Sequence, residues 1–350
     1  MGDALRQNNS LKNISFIKCV LVILIVLYHS IIFMNGKWFS AFQIDSYTIP
    51  TYICKWLNSF TIYAFTFISG YIFCYQKIEN GKYTKYLPFV LNKLKRLIIP
   101  YLFVSIIWAF PLNTIVDEFD SNRLIFGFLL GESPSQLWFL LMLFVVFLIS
   151  WPLTNCFKKW YGLIIVLGFY ALAFVGSHFL PDYFQIWTSL KFLFFFYLGF
   201  VTRYKAEKVF EKIPFWTWIL LDAILFTGLI IVEKQDATIF KLLSIGFSFL
   251  LNIAGTMMVW STLNLLSSRF CLSERKSVIF FAKRSMIIYL FHQQIIYILI
   301  FLLYQYVNIF MLTVINFVVS LSLSVLLSFL LLRFNPLRVL VGEKPIKSES

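Results

Sequence analysis

The sequence predicts an all-α membrane protein whose chain crosses the bilayer about ten times. Of its 350 residues, 60% are hydrophobic and 13% are charged, and the mean hydropathy is +0.82. Apolar runs recur along the whole chain, and a membrane-spanning helix needs about 20 apolar residues. The connections, the longest being about 117–136, are too short to fold alone, so we expect no soluble domain. The predicted runs are 14–34, 56–75, 97–116, 137–155, 161–180, 184–201, 215–232, 239–263, 278–304 and 309–332.

Charged residues separate these runs in a regular order. The first run follows a polar segment and lacks a small-residue cleavage site, so we expect it to remain as a signal anchor. Basic stretches follow the second, fourth, sixth, eighth and tenth runs, whereas the connections after the odd-numbered runs are poor in Lys and Arg. Successive helices cross the bilayer in opposite directions, so this alternation supports the count of ten.

The same alternation predicts the orientation of the chain. Of the 30 Lys and Arg residues, 24 lie near the N-terminus or after even-numbered runs, and Lys and Arg accumulate on the cytoplasmic side. We therefore expect a cytoplasmic segment over 1–13, a transmembrane domain over 14–333 and a cytoplasmic tail over 334–350, in the plasma or inner membrane. This asymmetry explains the net charge of +14 without a nucleic-acid partner.

Two ionisable side chains lie inside the first run, where such groups are costly and usually functional. Lys18 and His29 are eleven residues apart. On a helix this spacing amounts to about three turns plus 20° and a rise of about 16 Å, so both side chains share one face. Lys18 is near enough to the inner end to extend its ammonium to the interface. His29 lies deeper, where it either bonds a neighbouring helix or acts as a general base with a pKa near working pH.

A second polar group lies in the ninth run. Ser285, Tyr289 and His292 are spaced by four and three residues, which places them on one helix face. His292 lies near the middle of its run, at a depth comparable to that of His29. It either makes a hydrogen bond between helices or shares a polar cavity with His29. The five cysteines are scattered without paired ligand spacing, so neither a disulfide framework nor a metal site is predicted.

Two further groups of residues allow a structural and a functional interpretation. Lys93, Lys95 and Arg96 precede Pro100 at the start of the third run. They either anchor the helix at the membrane surface or bind a polyanionic cytosolic ligand, for which Arg offers bidentate bonds to phosphate. A stripe of polar and small residues on the second run includes Ser69. Such stripes mark close helix packing more often than binding surfaces.

Six stretches then occur in a recognisable order. The first is the segment from Lys18 to His29, which is similar to an Arg/Lys-x10-His motif. The others are FTIYAFTFISGY at 60–71, KLKRLIIPY at 93–101, LWFL at 137–140, FFFYLGFVTR at 194–203 and SMIIYLFH at 285–292. Together they resemble acyltransferase family 3, membrane enzymes that O-acylate surface polysaccharides and share a core of ten helices. The resemblance covers about 12–342, and the chain departs from the pattern at Lys18, Thr61 and Tyr63, where the family more often has Arg, His and Pro.

The resemblance implies an O-acyltransferase with acetyl-CoA, or another acyl-CoA, as its donor and no permanently bound cofactor. The implied acceptor is a hydroxyl of an external or lipid-linked glycan of a capsule, O-antigen or exopolysaccharide. Lys18, Lys93 and Arg96 would bind the CoA phosphates at the inner side of the membrane. His29 would deprotonate the acceptor hydroxyl, and the rise between Lys18 and His29 is comparable to the length of an extended pantetheine arm.

The remaining candidates have supporting roles. His292, Tyr289 and Ser69 would orient the base or stabilise the oxyanion that forms on the thioester carbonyl. Trp138 and Lys191 would contact the acceptor sugar, with Trp138 offering a flat face for stacking. The alternative interpretation is a transporter or flippase of lipid-linked oligosaccharides, in which buried His and Lys relay protons or bind substrate. That alternative predicts discontinuous helices and internal symmetry, neither of which is visible in the hydropathy.

Overall fold

The computed structural model describes residues 2–36, 38, 44–116, 127–132 and 135–346. Within these ranges the regular secondary structure is helical. Nine of the described helices are long and apolar enough to cross a membrane, and a tenth apolar helix is shorter. The prediction of an all-α polytopic membrane protein is confirmed. Most of the longest predicted connection, about 117–136, lies outside the described residues.

The ten apolar helices follow the ten predicted runs in order. They are α1 (Gly2–Ile32), α2 (Thr48–Cys74), α3 (Tyr86–Thr114), α4 (Trp138–Ser150), α5 (Tyr161–Phe179), α6 (Ile186–Val201), α7 (Phe215–Glu233), α8 (Thr238–Phe270), α9 (Lys276–Leu303) and α10 (Ile309–Leu331). Shorter helices lie at Thr154–Phe157, Glu207–Lys212 and Asn335–Leu340. Several helices extend past the apolar runs, because polar and basic residues continue a helix beyond the stretch that hydropathy detects.

Prolines shape α3 in a way that hydropathy does not reveal. Two π-helical turns interrupt it, at Leu94–Ile98 and at Ser105–Ala109. Each turn ends two residues before a proline, Pro100 or Pro111. Proline has no N–H to donate to the carbonyl four residues earlier, and a π turn is one way for the helix to accommodate that missing bond. The basic entry to α3 therefore differs from a regular α-helix in the direction of its side chains.

The described chain divides into two compact units, and the division falls inside α1, α2, α6 and α9. The first unit comprises Met1–Leu24, Tyr52–Tyr75 and Phe195–Lys283. In this unit α2 and α6 cross with their backbones in contact at two glycines. A Cβ on Gly70 would lie 1.9 Å from the carbonyl oxygen of Phe196, and one on Gly199 would lie 1.9 Å from that of Phe67. Small residues permit such close crossings in membranes.

The second unit comprises Ile25–Thr51, Gln76–Phe194 and Arg284–Ser350. Part of its core consists of Phe33 and Met34 after α1, Ile296 and Ile300 of α9, and Leu312 of α10. His29 lies about one helical turn before Phe33, and His292 lies about one turn before Ile296. Packing of these apolar residues therefore holds the two helix segments that carry the histidines.

Candidate active site

The structure brings His29 and His292 together within the second unit. The Nδ1 atom of His29 lies 3.1 Å from the Nε2 atom of His292. The two ring centroids are 4.9 Å apart and the ring planes are inclined by 64°. This distance is within hydrogen-bonding range, so the two imidazoles act as one site.

The hydrogen-bond partners assign a tautomer to each neutral ring. His292 Nδ1 lies 2.9 Å from the carbonyl oxygens of Ile288 and Tyr289, and a carbonyl only accepts, so this nitrogen carries the proton. His292 Nε2 is then an acceptor. His29 Nδ1 lies 3.0 Å from the carbonyl oxygen of Ile25, so it also carries a proton and shares it between that oxygen and His292 Nε2. His29 Nε2 therefore keeps an available lone pair.

Burial separates the roles of the two rings. His292 is fully buried, whereas His29 is half-buried. Among the described residues His29 Nε2 has no hydrogen-bond partner, and His292 uses both of its nitrogens inside the protein. His29 is thus the ring whose free nitrogen can reach a substrate, and His292 is the ring that fixes its orientation.

Several residues beside His29 were not found from the sequence. The indole ring of Trp38 lies 6.0 Å from the His29 ring and 4.7 Å from the Tyr297 ring. Asn35 accepts a hydrogen bond of 3.1 Å from the Trp38 backbone N–H. Gln293 donates to the Tyr297 hydroxyl at 2.9 Å, and its own buried Oε1 atom has no partner among the described residues. The Gln–Gln pair directly after His292 is the sequence signal that could have indicated these polar neighbours.

A buried amide network fixes α9 beside His292. The Nε2 of Gln136 donates to the carbonyl oxygen of Leu290 at 3.1 Å and to Gln294 Oε1 at 3.2 Å. Gln294 Nε2 in turn donates to Ser135 Oγ at 2.7 Å. The Tyr289 hydroxyl donates to the carbonyl oxygen of Gln136. The start of α4 is therefore bonded to the turn of α9 that contains His292.

Comparison with known protein families adds a chemical identity to this geometry. Residues 11–333 match the family described as Acyltransferase domain, which is nearly the whole chain. The chain belongs to acyltransferase family 3. It is a membrane acyltransferase, and the resemblance drawn from the six sequence stretches is confirmed. Neither a curated protein nor a solved structure matched this acyltransferase.

The basic candidates of the acyltransferase at the entry to α3 have separate environments. The Lys93 ammonium lies 3.5 Å from the centre of the Phe147 ring, a cation–π contact that packs it against α4. The Arg96 side chain is exposed. The backbone of Arg96 is packed closely by Gly342, where a Cβ would lie 2.7 Å from the Arg96 carbonyl oxygen. Of these two residues, Arg96 is therefore the more exposed.

Two other predicted site residues, Trp138 and Lys191, contact residues of neighbouring helices. Trp138 packs against Phe192, with ring centroids 5.9 Å apart. Lys191 donates to Ser177 Oγ at 3.1 Å. These contacts do not include either histidine, so the roles of Trp138 and Lys191 stay predictions.

Two predicted site residues belong to the first unit of the acyltransferase. Lys18 is half-buried on α1, which continues without a break to His29. Ser69 donates its hydroxyl to the carbonyl oxygen of Phe65 at 2.9 Å. This bond to the preceding turn is common for serine in helices. The roles of Lys18 in donor binding and of Ser69 in catalysis likewise stay predictions.

Proposed function

We propose that this acyltransferase transfers an acetyl group from cytosolic acetyl-CoA to a hydroxyl of a cell-surface glycan. The observation that carries the proposal is the histidine pair, in which the unbonded lone pair of His29 Nε2 belongs to a ring oriented by a second imidazole. A base of this kind suits O-acyl transfer because a sugar hydroxyl must lose its proton as it attacks. Membership of an acyltransferase family supports the same class of reaction.

The chemistry follows the arrangement of the two rings. The acceptor hydroxyl donates its proton to His29 Nε2 while its oxygen attacks the carbonyl carbon of the thioester. The resulting tetrahedral intermediate expels the CoA thiolate, and the proton returns from His29 Nε2 to the sulfur. While His29 is positively charged, its Nδ1–H donates to His292 Nε2, which stabilises the imidazolium as the third member of a triad does.

The donor side of the proposal uses the basic residues at the inner membrane surface. The exposed guanidinium of Arg96 is suited to bidentate contact with a CoA phosphate. Lys93 and Lys18 would add positive charge at the same side, with both termini cytoplasmic as the distribution of Lys and Arg predicts. The pantetheine arm would then extend along the direction of α1 toward His29.

The acceptor side of the proposal uses the aromatic residues beside His29. Trp38 presents a large aromatic surface 6.0 Å from the His29 ring, and aromatic faces offer an apolar surface on which a sugar ring can stack. We propose that Trp38 orients the acceptor glycan, with Trp138 and Lys191 as more peripheral contacts. The transporter alternative receives no comparable support, because the family assignment favours group transfer over transport.

The experiment measures the O-acetyl content of the surface glycan by proton NMR. Cells that lack the protein are complemented with wild type, with His29→Ala or with His178→Ala, at matched expression. His178 is the one histidine of the chain outside the pair, and it is exposed in the last turn of α5. It is therefore the matched control. We expect O-acetyl signals with wild type and His178→Ala, and their absence with His29→Ala and in the deletion.

Two results would contradict the proposal in different ways. Full O-acetylation with His29→Ala would remove His29 from its role as base while leaving the reaction in place. Unchanged O-acetylation in the deletion, together with a change in glycan export or chain length, would favour the transporter alternative. Incubation of purified protein with radiolabelled acetyl-CoA and isolated glycan then tests whether acetyl is the group transferred.

A further inference from the structure

A long apolar groove lies on the second unit, and its lining includes none of the residues that the proposed reaction uses. Its volume is about 630 Å³, and its walls come from α3, α9 and α10. Trp108 contributes from α3, and Ile295 and Leu299 contribute from α9. The volume falls in the range of pockets that bind small molecules, but the walls are almost entirely hydrocarbon. Such a groove suits a hydrocarbon chain.

The length of the groove matches one leaflet of a bilayer. Along α10 its lining runs through Leu323, Leu326 and Leu330 to Arg333. These positions span ten residues, which corresponds to about 15 Å on a helix. The hydrocarbon core of a bilayer is about 30 Å thick, so its half-thickness is the same length. A groove of this length, ending just after the last turn of α10, would reach from the middle of a bilayer to one surface.

The groove is open along its side and carries a positive charge at the end where Arg333 lies. Leu326 is 64% exposed and Leu330 is 55% exposed, so a lipid can enter from the side. Arg333 is the only charged residue among those that line the groove, and it follows the last turn of α10. Arg284 adds a second cation nearby, because its guanidinium lies 4.7 Å from the ring of Phe329, another lining residue.

We infer that this groove binds one anionic phospholipid, with an acyl chain against α9 and α10 and its phosphate on the Arg333 guanidinium. The apolar walls and lateral opening select a membrane lipid over a soluble ligand. The arginine at the surface end selects a negative headgroup, since guanidinium pairs with phosphate through two parallel bonds. The acyl chain of the bound lipid also contacts Trp108. The Trp108 ring lies 5.5 Å from that of Phe291, the residue before His292.

Quenching of Trp108 fluorescence tests this site directly. The full-length protein is reconstituted in phosphatidylcholine bilayers that contain increasing fractions of chain-brominated phosphatidylglycerol or chain-brominated phosphatidylcholine. The difference between wild type and Trp108→Phe isolates the emission of Trp108 from that of the other tryptophans. We expect half-quenching at an about fivefold lower fraction of the anionic lipid, the ratio that about 1 kcal/mol for one interfacial cation provides.

Matched variants separate a specific site from the surrounding lipid. Arg333→Gln should reduce the preference for the anionic lipid and Arg333→Gln combined with Arg284→Gln should abolish it, whereas Arg269→Gln, which removes the same charge at the end of α8, should keep the full preference. Leu326→Phe narrows the groove and should weaken quenching by both lipids. Leu302→Phe, at a position that is 56% exposed on α9 outside the groove lining, should not. Equal quenching of wild-type Trp108 by both lipids, or a preference that is unchanged in Arg333→Gln, would overturn the inference.

Discussion

The two units each contain a polar cluster inside mostly apolar helices, and the clusters differ in charge and in hydrogen bonding. In the second unit, His29 and His292 form a pair of imidazoles that need carry no charge at rest. In the first unit, Arg203, Glu207 and Tyr71 form a cluster with two opposite charges. In the histidine pair, His29 Nε2 has no hydrogen-bond partner among the described residues, whereas the first cluster pairs its two charges with each other.

The cluster of the first unit is closely bonded within itself. The Arg203 Nη1 lies 3.5 Å from Glu207 Oε2 and donates to the Tyr71 hydroxyl at 2.9 Å. The Tyr71 hydroxyl donates in turn to Glu207 Oε1 at 2.6 Å. The Arg203 side chain is 1% exposed and that of Glu207 is 13% exposed. Two charge-assisted hydrogen bonds and one ion pair thus link the three side chains.

This difference separates a structural role from a chemical one. A buried charge is tolerated when a partner compensates it, and removing one partner leaves the other uncompensated. A neutral imidazole is less costly to bury than an ion, and it keeps an acceptor as long as one nitrogen has no proton. We therefore expect the cluster of the first unit to contribute to stability, and the pair of the second unit is the one to which we give the proposed catalytic role.

The largest expected effect on stability comes from breaking the first cluster. Arg203→Met leaves Glu207 without its cation and should lower the free energy of unfolding by about 3–5 kcal/mol. Thermal or denaturant unfolding of the purified protein in detergent measures this loss. The acyl-transfer rate per folded molecule should remain close to that of wild type, because Arg203 is not part of the histidine pair.

Two variants serve as controls for that measurement. Arg203→Met combined with Glu207→Gln removes both charges and keeps an acceptor for Tyr71, so it should recover most of the lost stability. Lys205→Met removes a positive charge from an exposed side chain two residues away and should change stability by less than about 0.5 kcal/mol. A similar loss in Arg203→Met and Lys205→Met would mean that net charge, and not the cluster, sets the stability.

The next effect concerns the second ring of the histidine pair. His292→Phe removes the acceptor for His29 Nδ1–H, so kcat should fall by about 10- to 100-fold, equivalent to about 1.4–2.7 kcal/mol. The KM for the acyl donor should change little, since His292 is fully buried. Steady-state kinetics with purified enzyme measures both quantities.

A conservative variant tests whether His292 acts through that hydrogen bond. The Oε1 atom of a glutamine can accept from His29 Nδ1–H, so His292→Gln should retain much more activity than His292→Phe. The effect of His292→Phe should also largely disappear in a His29→Gln background, because a positioning residue needs the base that it positions. Equal losses in His292→Gln and His292→Phe, or full additivity with His29→Gln, would contradict the role.

The sequence predicted the helices well because the bilayer imposes a strong and local signal on composition. All ten apolar runs correspond to helices of the described chain. The ends of the helices were less predictable. Helix α2 begins at Thr48 and α3 begins at Tyr86, whereas the predicted runs begin at 56 and 97. The two π turns of α3 depend on the missing N–H groups of prolines, which hydropathy does not measure.

The residues of the site could be predicted only where a single helix shows an unusual residue in its own sequence. His29 and His292 stood out because ionisable residues are rare inside membrane helices, and their similar depth indicated that they could meet. Trp38 lies outside the apolar runs, and Gln136 bonds to residues more than 150 positions away, so neither carried a local signal. Arg203 belongs to the basic stretch that follows the sixth run, which the sequence analysis placed on the cytoplasmic side. Its burial with Tyr71 could not be predicted, because it depends on a contact between segments 132 residues apart.

The smallest expected effect distinguishes a catalytic from a structural role for Tyr289. The resemblance implied that Tyr289 either orients the base or stabilises the oxyanion, and in the structure its hydroxyl donates to the carbonyl oxygen of Gln136. Tyr289→Phe should therefore lower the free energy of unfolding by about 1 kcal/mol and reduce the acetyl-transfer rate by no more than about fivefold. An oxyanion donor would instead contribute about 10²–10³ in kcat. Parallel unfolding and kinetic measurements decide the question: a rate loss of about 100-fold with unchanged stability would show that Tyr289 leaves Gln136 and contacts the reacting thioester during catalysis.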